Sequence, residues 1–218
     1  IIKVVGEAIG NMFPARISAG TRTFPQLGFN RLIIRKDGKA RESWVGDEHY
    51  NVENPERIPF GPVDPEVGVI KVEDMQGNAR AIVMSYAMHA DLGCFSYEIS
   101  ADYPGFACKK VEEAFDNKAI CLFVAGGGGN VEGLMISRRR SGPDDPIKTD
   151  YKPIQRTGEL LGIEVIKLAN ALHASSDNTS FKMRTDSLQF STRGDKNRKV
   201  NVHIATFLIN DFAIAVCP

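Results

Sequence analysis

Two apolar runs stand close together in the middle of the chain. Residues 81–88 end abruptly on His89, Ala90 and Asp91, and residues 119–124 run through Ala125 into four glycines, Gly126 to Gly129, and then Asn130. Each is short, apolar and bounded by turn residues, which predicts a pair of buried strands. Between them, residues 99–105 read as a loop turning into a helix over 103–116. Pro104 sits in its first turn, where a missing N–H is harmless, and Phe106, Ala107, Val111, Ala114 and Phe115 form one stripe. A right-handed strand–helix–strand crossover favours parallel neighbours in one sheet. His89 and the glycine turn then share the carboxyl edge of that sheet, where ligands gather in open α/β folds.

The flanking patterns complete the expectation. Residues 1–13 have a helical apolar period that Pro14 stops. Residues 16–23 alternate as a strand, 27–35 form a stronger one around Leu32, Ile33 and Ile34, and Asp37-Gly38 marks a turn. A polar, proline-rich loop over 39–65 carries the one tryptophan, Trp44, with Tyr50 nearby. Residues 67–72 and 79–88 form a hairpin across Gln76-Gly77-Asn78. The charged stretch 137–150, with Arg138 to Arg140, reads as a solvated loop. Residues 154–173 form the most apolar helix, expected to be buried on two sides, and His173 at its end suits the helix dipole. Strands over 180–192, 200–209 and 212–217 make the last third antiparallel. The predicted fold class is α/β, with mixed β-sheets flanked by helices and antiparallel β toward the C-terminus.

Composition narrows the function. Lys plus Arg equals Asp plus Glu at 27 each, which argues against a nucleic-acid partner. No apolar run approaches the ~20 residues of a transmembrane helix. The length of 218 residues suits a single domain, 1–218. The opening residues read as the inside of a helix, and the last strand pattern has no polar tail, so a piece of a larger polypeptide is expected. The four cysteines, Cys94, Cys108, Cys121 and Cys217, have no C-x-x-C spacing, which disfavours both zinc–thiolate and disulfide frameworks.

Among residues that carry chemistry, His89 is the sharpest: an imidazole leaving a buried strand is a metal ligand, an acid–base group or a hydrogen-bonded strand end. His49, His173 and His203 form no metal-binding pair by local spacing. The glycine run fits neither a dinucleotide nor a P-loop signature. Its physical content is close backbone approach or positive φ, at several successive positions.

Taken together, Asn30-Arg31, the segment 61–69 (GPVDPEVGV), the strand ending on His89, the segment 100–105 (SADYPG) and the strand with its glycine turn resemble the neutral/alkaline non-lysosomal ceramidase family, N-terminal catalytic region. The resemblance spans nearly the whole chain and weakens over the last forty or so residues. It implies a zinc-dependent amidase acting on the N-acyl bond of ceramide, a small-molecule or lipid-like substrate, and a soluble, secreted or periplasmic protein. The family holds zinc with two histidines, a glutamate and a tyrosine. His89 matches one histidine; the other is expected upstream of Ile1, the glutamate just after Pro218 and the tyrosine later still.

By the same resemblance Arg31 matches the family's active-site arginine, and Gly127, Gly128 and Asn130 line the substrate. Where the family has Gly-Asp-Val-Ser, this chain has Gly129-Asn130-Val131-Glu132. The zinc would polarise a carbonyl and lower the pKa of bound water to about 7, while Arg31 and backbone N–H groups of the turn would stabilise the oxyanion. Glu132 is then either the general base or a surface carboxylate. A glutamate in place of a small hydroxyl implies a smaller or more polar amide or ester than ceramide. The alternative is a binding or structural domain that keeps the fold without the chemistry.

Overall fold

The computed structural model describes residues 1–43, 54–56, 58–93, 98–135, 138–139, 148–174, 179–192 and 194–216. Trp44, His49, Tyr50, Arg140, Cys94 and Cys217 lie outside the described residues, as do the side chains of Arg138 and Arg139. The chain divides into two compact units, Ser18–His173 and the pair of segments Ile1–Ile17 and Ala174–Pro218.

The larger unit is built on a four-stranded mixed sheet ordered β1-β5-β6-β7, from β1 (Ala15–Thr23), β5 (Glu66–Asp74), β6 (Ala79–Tyr86) and β7 (Ile120–Ala125). The β5–β6 hairpin pairs Ile70 with Val83 and shifts register between Val72 and Glu73. Helix α2 (Asp102–Ala114) carries the chain over to β7, which runs parallel to β6 with Ala81 beside Ile120 and Tyr86 beside Ala125. The predicted crossover is thus observed.

Helix α3 (Tyr151–Ala171) begins three residues earlier than its apolar pattern, because Asp150 caps it by accepting a hydrogen bond from the Lys152 amide at 3.2 Å. Its buried stripe, through Ile154, Leu161, Val165 and Leu168, packs on both α2 and β5, as a two-sided burial requires. His173, at its C-terminal end, is exposed, and a second cation serves that end. Lys71 reaches over from β5, and its Nζ donates to the Leu172 carbonyl at 2.5 Å and pairs with Glu73 at 3.1 Å. A buried ammonium there satisfies orphan helix carbonyl dipole and carboxylate together.

The core lies on the helix side of the sheet. Val67, Val69, Ile82, Met84, Tyr86 and Cys121 point toward Ala107, Val111, Leu161 and Val165. The sequence pattern makes β7 a strand buried on both faces, but Ile120, Leu122 and Val124 are more than half exposed. As the last strand of its sheet, β7 alternates: only Cys121 is buried, with Phe123 half-buried.

The expected strand over 27–35 is also two strands. β2 (Gly28–Asn30) pairs with β8 (Val131–Gly133), whereas β3 (Leu32–Ile34) pairs with β4 (Ala40–Glu42). The break falls at Arg31. Asn30 turns the chain there, its Oδ1 accepting from the Leu32 amide at 3.0 Å. The stretch 137–150 adds a two-stranded ladder, β9 (Arg138–Arg139) with β10 (Lys148–Thr149).

In the smaller unit, α1 (Ile2–Gly10) has no buried residue. A three-stranded antiparallel sheet joins β11 (Phe181–Ser191), β12 (Lys199–Ile209) and β13 (Phe212–Val216) in register, with Phe181 opposite Ile209 and Phe207 opposite Ile214. The turn between the last two strands uses Asn210 at φ 55°.

Two expectations test this packing. A Cβ on Gly158 would lie 2.5 Å from the Tyr103 carbonyl oxygen and 2.9 Å from the Ala107 nitrogen, both backbone atoms of α2. Gly158→Ala is expected to destabilise the protein by about 2–3 kcal/mol in denaturant titrations, whereas Gly6→Ala, with nothing within 4 Å, should be neutral or slightly stabilising. Equal effects at both positions would contradict the seam. Tyr86, whose hydroxyl donates to the Phe24 carbonyl at 2.8 Å, has its phenol pushed by burial from 10.0 up to about 12. A raised value favours the protonated folded form, so this contribution is full below about pH 10 and lost as pH rises through about 12. Tyr86→Phe should flatten alkaline unfolding in that window, followed by circular dichroism.

Candidate functional site

The carboxyl ends of β6 and β7 meet as the crossover requires. The Gly126 amide donates to the Tyr86 carbonyl at 3.0 Å, and the His89 amide donates to the Val131 carbonyl at 3.0 Å. His89 itself is half-buried. Its backbone is held from below by Tyr103, fully buried in α2, whose hydroxyl donates to the Met88 carbonyl at 2.8 Å. Asp102 holds the other side of the same loop. Its carboxylate accepts from the Gly93 amide at 2.9 Å and the Tyr103 amide at 2.8 Å, and its own amide donates to the Ser100 hydroxyl. The segment 100–105 therefore acts as a clamp on the loop that carries His89.

The glycine turn is less extreme than four glycines suggest. Gly126 lies so close to Ala87 that a Cβ would sit 3.1 Å from its nitrogen, and Gly129 takes φ 46°. Gly127 and Gly128 need neither feature, so close approach and positive φ each occur once. Internal hydrogen bonds shape the turn, from the Gly128 amide to the Gly126 carbonyl at 2.7 Å and from the Val131 amide to the Gly128 carbonyl at 2.6 Å. With the Gly126 and Gly128 amides so engaged, an oxyanion would have to be met by other amides of the turn. Gly127 is exposed, and Gly128 and Asn130 are half-buried.

Arg31 and Glu132, 101 residues apart, meet here. Glu132 stands opposite Phe29 in the β2–β8 pair, and Arg31 is the residue that follows β2. The Arg31 amide donates to the Asn130 carbonyl at 2.9 Å and its carbonyl accepts from the Ser43 amide at 2.8 Å, which fixes the side chain's origin. Its guanidinium donates to the Glu132 carboxylate through Nη1 and pairs through Nε with Glu42 at 3.4 Å. Asn30 ties in a further motif, donating through Nδ2 to the Pro62 carbonyl at 2.9 Å.

Glu132 is 1% exposed, so it is not a surface carboxylate. Burial raises its pKa above the usual carboxylate range, the charge of Asp91 and a hydrogen bond with Asp91 raise it further, and Arg31 and His89 oppose the shift. A carboxyl group with raised proton affinity, close to a guanidinium and an imidazole, is suited to acid–base work. Asp91, two residues beyond His89, is the acidic partner. No local spacing marks it, because its partner lies on β8.

The residues fit a zinc site poorly. Among the described residues, no group of three or more histidine, cysteine, aspartate or glutamate side chains is arranged to hold a metal ion. His89 is the histidine that the resemblance matches to a ligand, and Asp102 is already engaged by two amides.

No protein-family model matches the chain, and no curated protein matches it in sequence. Among solved structures, the fold is similar to neutral ceramidase from Pseudomonas aeruginosa, with TM-score 0.56 and 14% identity over 93% of this chain and 30% of that one. It is also similar to a ceramidase complexed with C2, with TM-score 0.53 and 15% identity over 90% of this chain and 29% of that one. The fold is ceramidase-like. At this identity the likeness is one of fold, and the chain spans about 30% of the length of these structures. No helix among the described residues is long and apolar enough to cross a membrane.

A metal measurement checks the ligand count. One histidine does not replace the three or four ligands that zinc needs, so elemental analysis of the dialysed 218-residue chain should find well under one zinc per molecule. A stoichiometric, chelator-resistant zinc would mean that Asp91, Glu132 or His49 completes a site with His89.

Proposed function

We propose that this protein is a hydrolase of linear amide or ester bonds, built on the ceramidase-like fold, with Arg31, His89 and Glu132 at its reacting centre. The observation that carries this reading is the buried Glu132, held between Arg31 and Asp91 at the carboxyl ends of β6 and β7. Its raised proton affinity suits transfer of a proton to a leaving amine or alkoxide, and its later return from water. Arg31 would offset negative charge developing on the carbonyl oxygen, and Gly127, Gly128 and Asn130 would line the acyl group. Any zinc, as the family resemblance implies, would use His89 and draw its remaining ligands from beyond residues 1–218.

The substrate follows from what stands beside the reacting bond. Glu132 is bulkier than the small hydroxyl that the family pattern places there, and its carboxyl is engaged by Arg31. A long-chain N-acyl sphingosine would find its carbonyl position partly occupied, so a shorter or more polar acyl compound is the better fit. A second reading has its own support: Arg31 is paired with both Glu132 and Glu42, as in a purely structural ion pair.

The full-length protein, supplied with zinc, should be assayed on fluorescent ceramide beside a panel of short acyl amides and esters. The expected result is turnover of short substrates, little turnover of ceramide, and a loss of roughly 100-fold in Glu132→Ala. Robust ceramide cleavage that survives Glu132→Ala would overturn the assignment. No turnover of any member of the panel would favour a binding or structural domain.

A further inference from the structure

Cys108 and Cys121 show no metal or redox spacing in sequence, yet the fold brings them together. Cys108 lies on α2 and is half-buried; Cys121 lies on β7, is 6% exposed and faces the helix. Glu112, one helical turn after Cys108, accepts a hydrogen bond from the Cys121 amide at 3.0 Å. That bond anchors Cys121 beneath the turn of α2 that carries Cys108. Cys108 packs against the same core cluster that holds Cys121, and both cysteines are free thiols. Beyond α2, Asp116 and Asn117 at φ 55° and 57° reverse the chain tightly into β7. The pair is therefore held in place by backbone on both sides.

We propose that Cys108 and Cys121 are a reversible disulfide site, oxidised by thiol–disulfide exchange with a small disulfide, and that the bond clamps α2 to β7. The neighbouring Cys121 thiol lowers the pKa of Cys108, whereas the Cys108 thiol and then burial raise that of Cys121. Cys108, the more exposed of the two, is thus the attacking thiolate. It attacks one sulfur of the small disulfide, forms a mixed disulfide and releases a small thiolate. Cys121 then gives up its proton and attacks the Cys108 sulfur, closing the protein disulfide and releasing the second small thiol. Two electrons pass from the protein to the oxidant, and two small thiols leave. Because β7 leads directly into the glycine turn, the clamp fixes the strand that presents Gly126 to Asn130.

The test is oxidation of the full chain with oxidised glutathione, followed by digestion after lysine and glutamate under non-reducing conditions. Cleavage after Glu98 separates Cys94 from Cys108, and cleavage after Lys109 and Lys118 separates Cys108 from Cys121. The expected result is a linked Cys108–Cys121 peptide, about 2 Da lighter than its two reduced halves together, that reductant dissolves. The oxidised protein should melt about 5 °C or more above the reduced one. Cys108→Ser should lose both the linked peptide and that gain while melting like reduced wild type. A glutathione adduct that persists on Cys108, linkage to Cys94 or Cys217 instead, or oxidation that leaves the melting temperature unchanged would each overturn the proposal.

Discussion

Gly158 and Gly162 let α3 lie directly on the backbone of α2, and the position of the loop carrying His89 follows from that contact. A Cβ at Gly162 would meet the Ala107 carbonyl oxygen at 3.1 Å, and one at Gly158 would collide outright. The helices can therefore approach until Val111, Leu161 and Val165 close over the sheet. With α2 pinned between α3 and the strands, its N-terminus is fixed, and so are Asp102 and Tyr103. These two hold the loop after Met88, which places His89 beside the residue following the glycine turn. Packing of two glycines on α3 thus bears, through Tyr103, on the position of the imidazole.

The centre of the site is a compromise between burial and charge. A lone carboxylate as deeply buried as Glu132 would be costly, and Arg31 offsets part of that penalty. Asp91 pushes the other way, as a second acidic group sharing a hydrogen bond with Glu132. Three ionisable groups with opposing effects on one proton form a more responsive arrangement than a simple ion pair. Truncating one partner leaves the others uncompensated. In a ceramidase-like fold, as in any, scaffold and chemistry separate: the scaffold depends on core packing, whereas chemistry depends on a few side chains.

Much of the fold was legible from periodicity. The strands at residues 79–86 and 120–125, the helix between them and the antiparallel C-terminal third all follow from apolar spacing and turn residues. These are local properties, decided by which residues can share a face. Two misreadings have a common origin. The β2–β3 break at Arg31 and the one-sided burial of β7 depend on which neighbour each strand finds, and an apolar run looks the same in sequence whether one face or two is covered.

The site divides along the same line. His89 and the glycine turn were visible because strand ends and glycines are local signals, and the crossover rule brings them together from topology alone. The pairing of Arg31 with Glu132 across 101 residues was not, nor was Asp91 as a partner, nor the packing of Cys108 and Cys121 in one cluster. Sequence by itself determined most elements, their order and the sheet edge that His89 and the glycine turn share. Only tertiary structure decided which charges are buried together and which cysteines share a core cluster, because those outcomes depend on strand pairing and helix packing between residues distant along the chain.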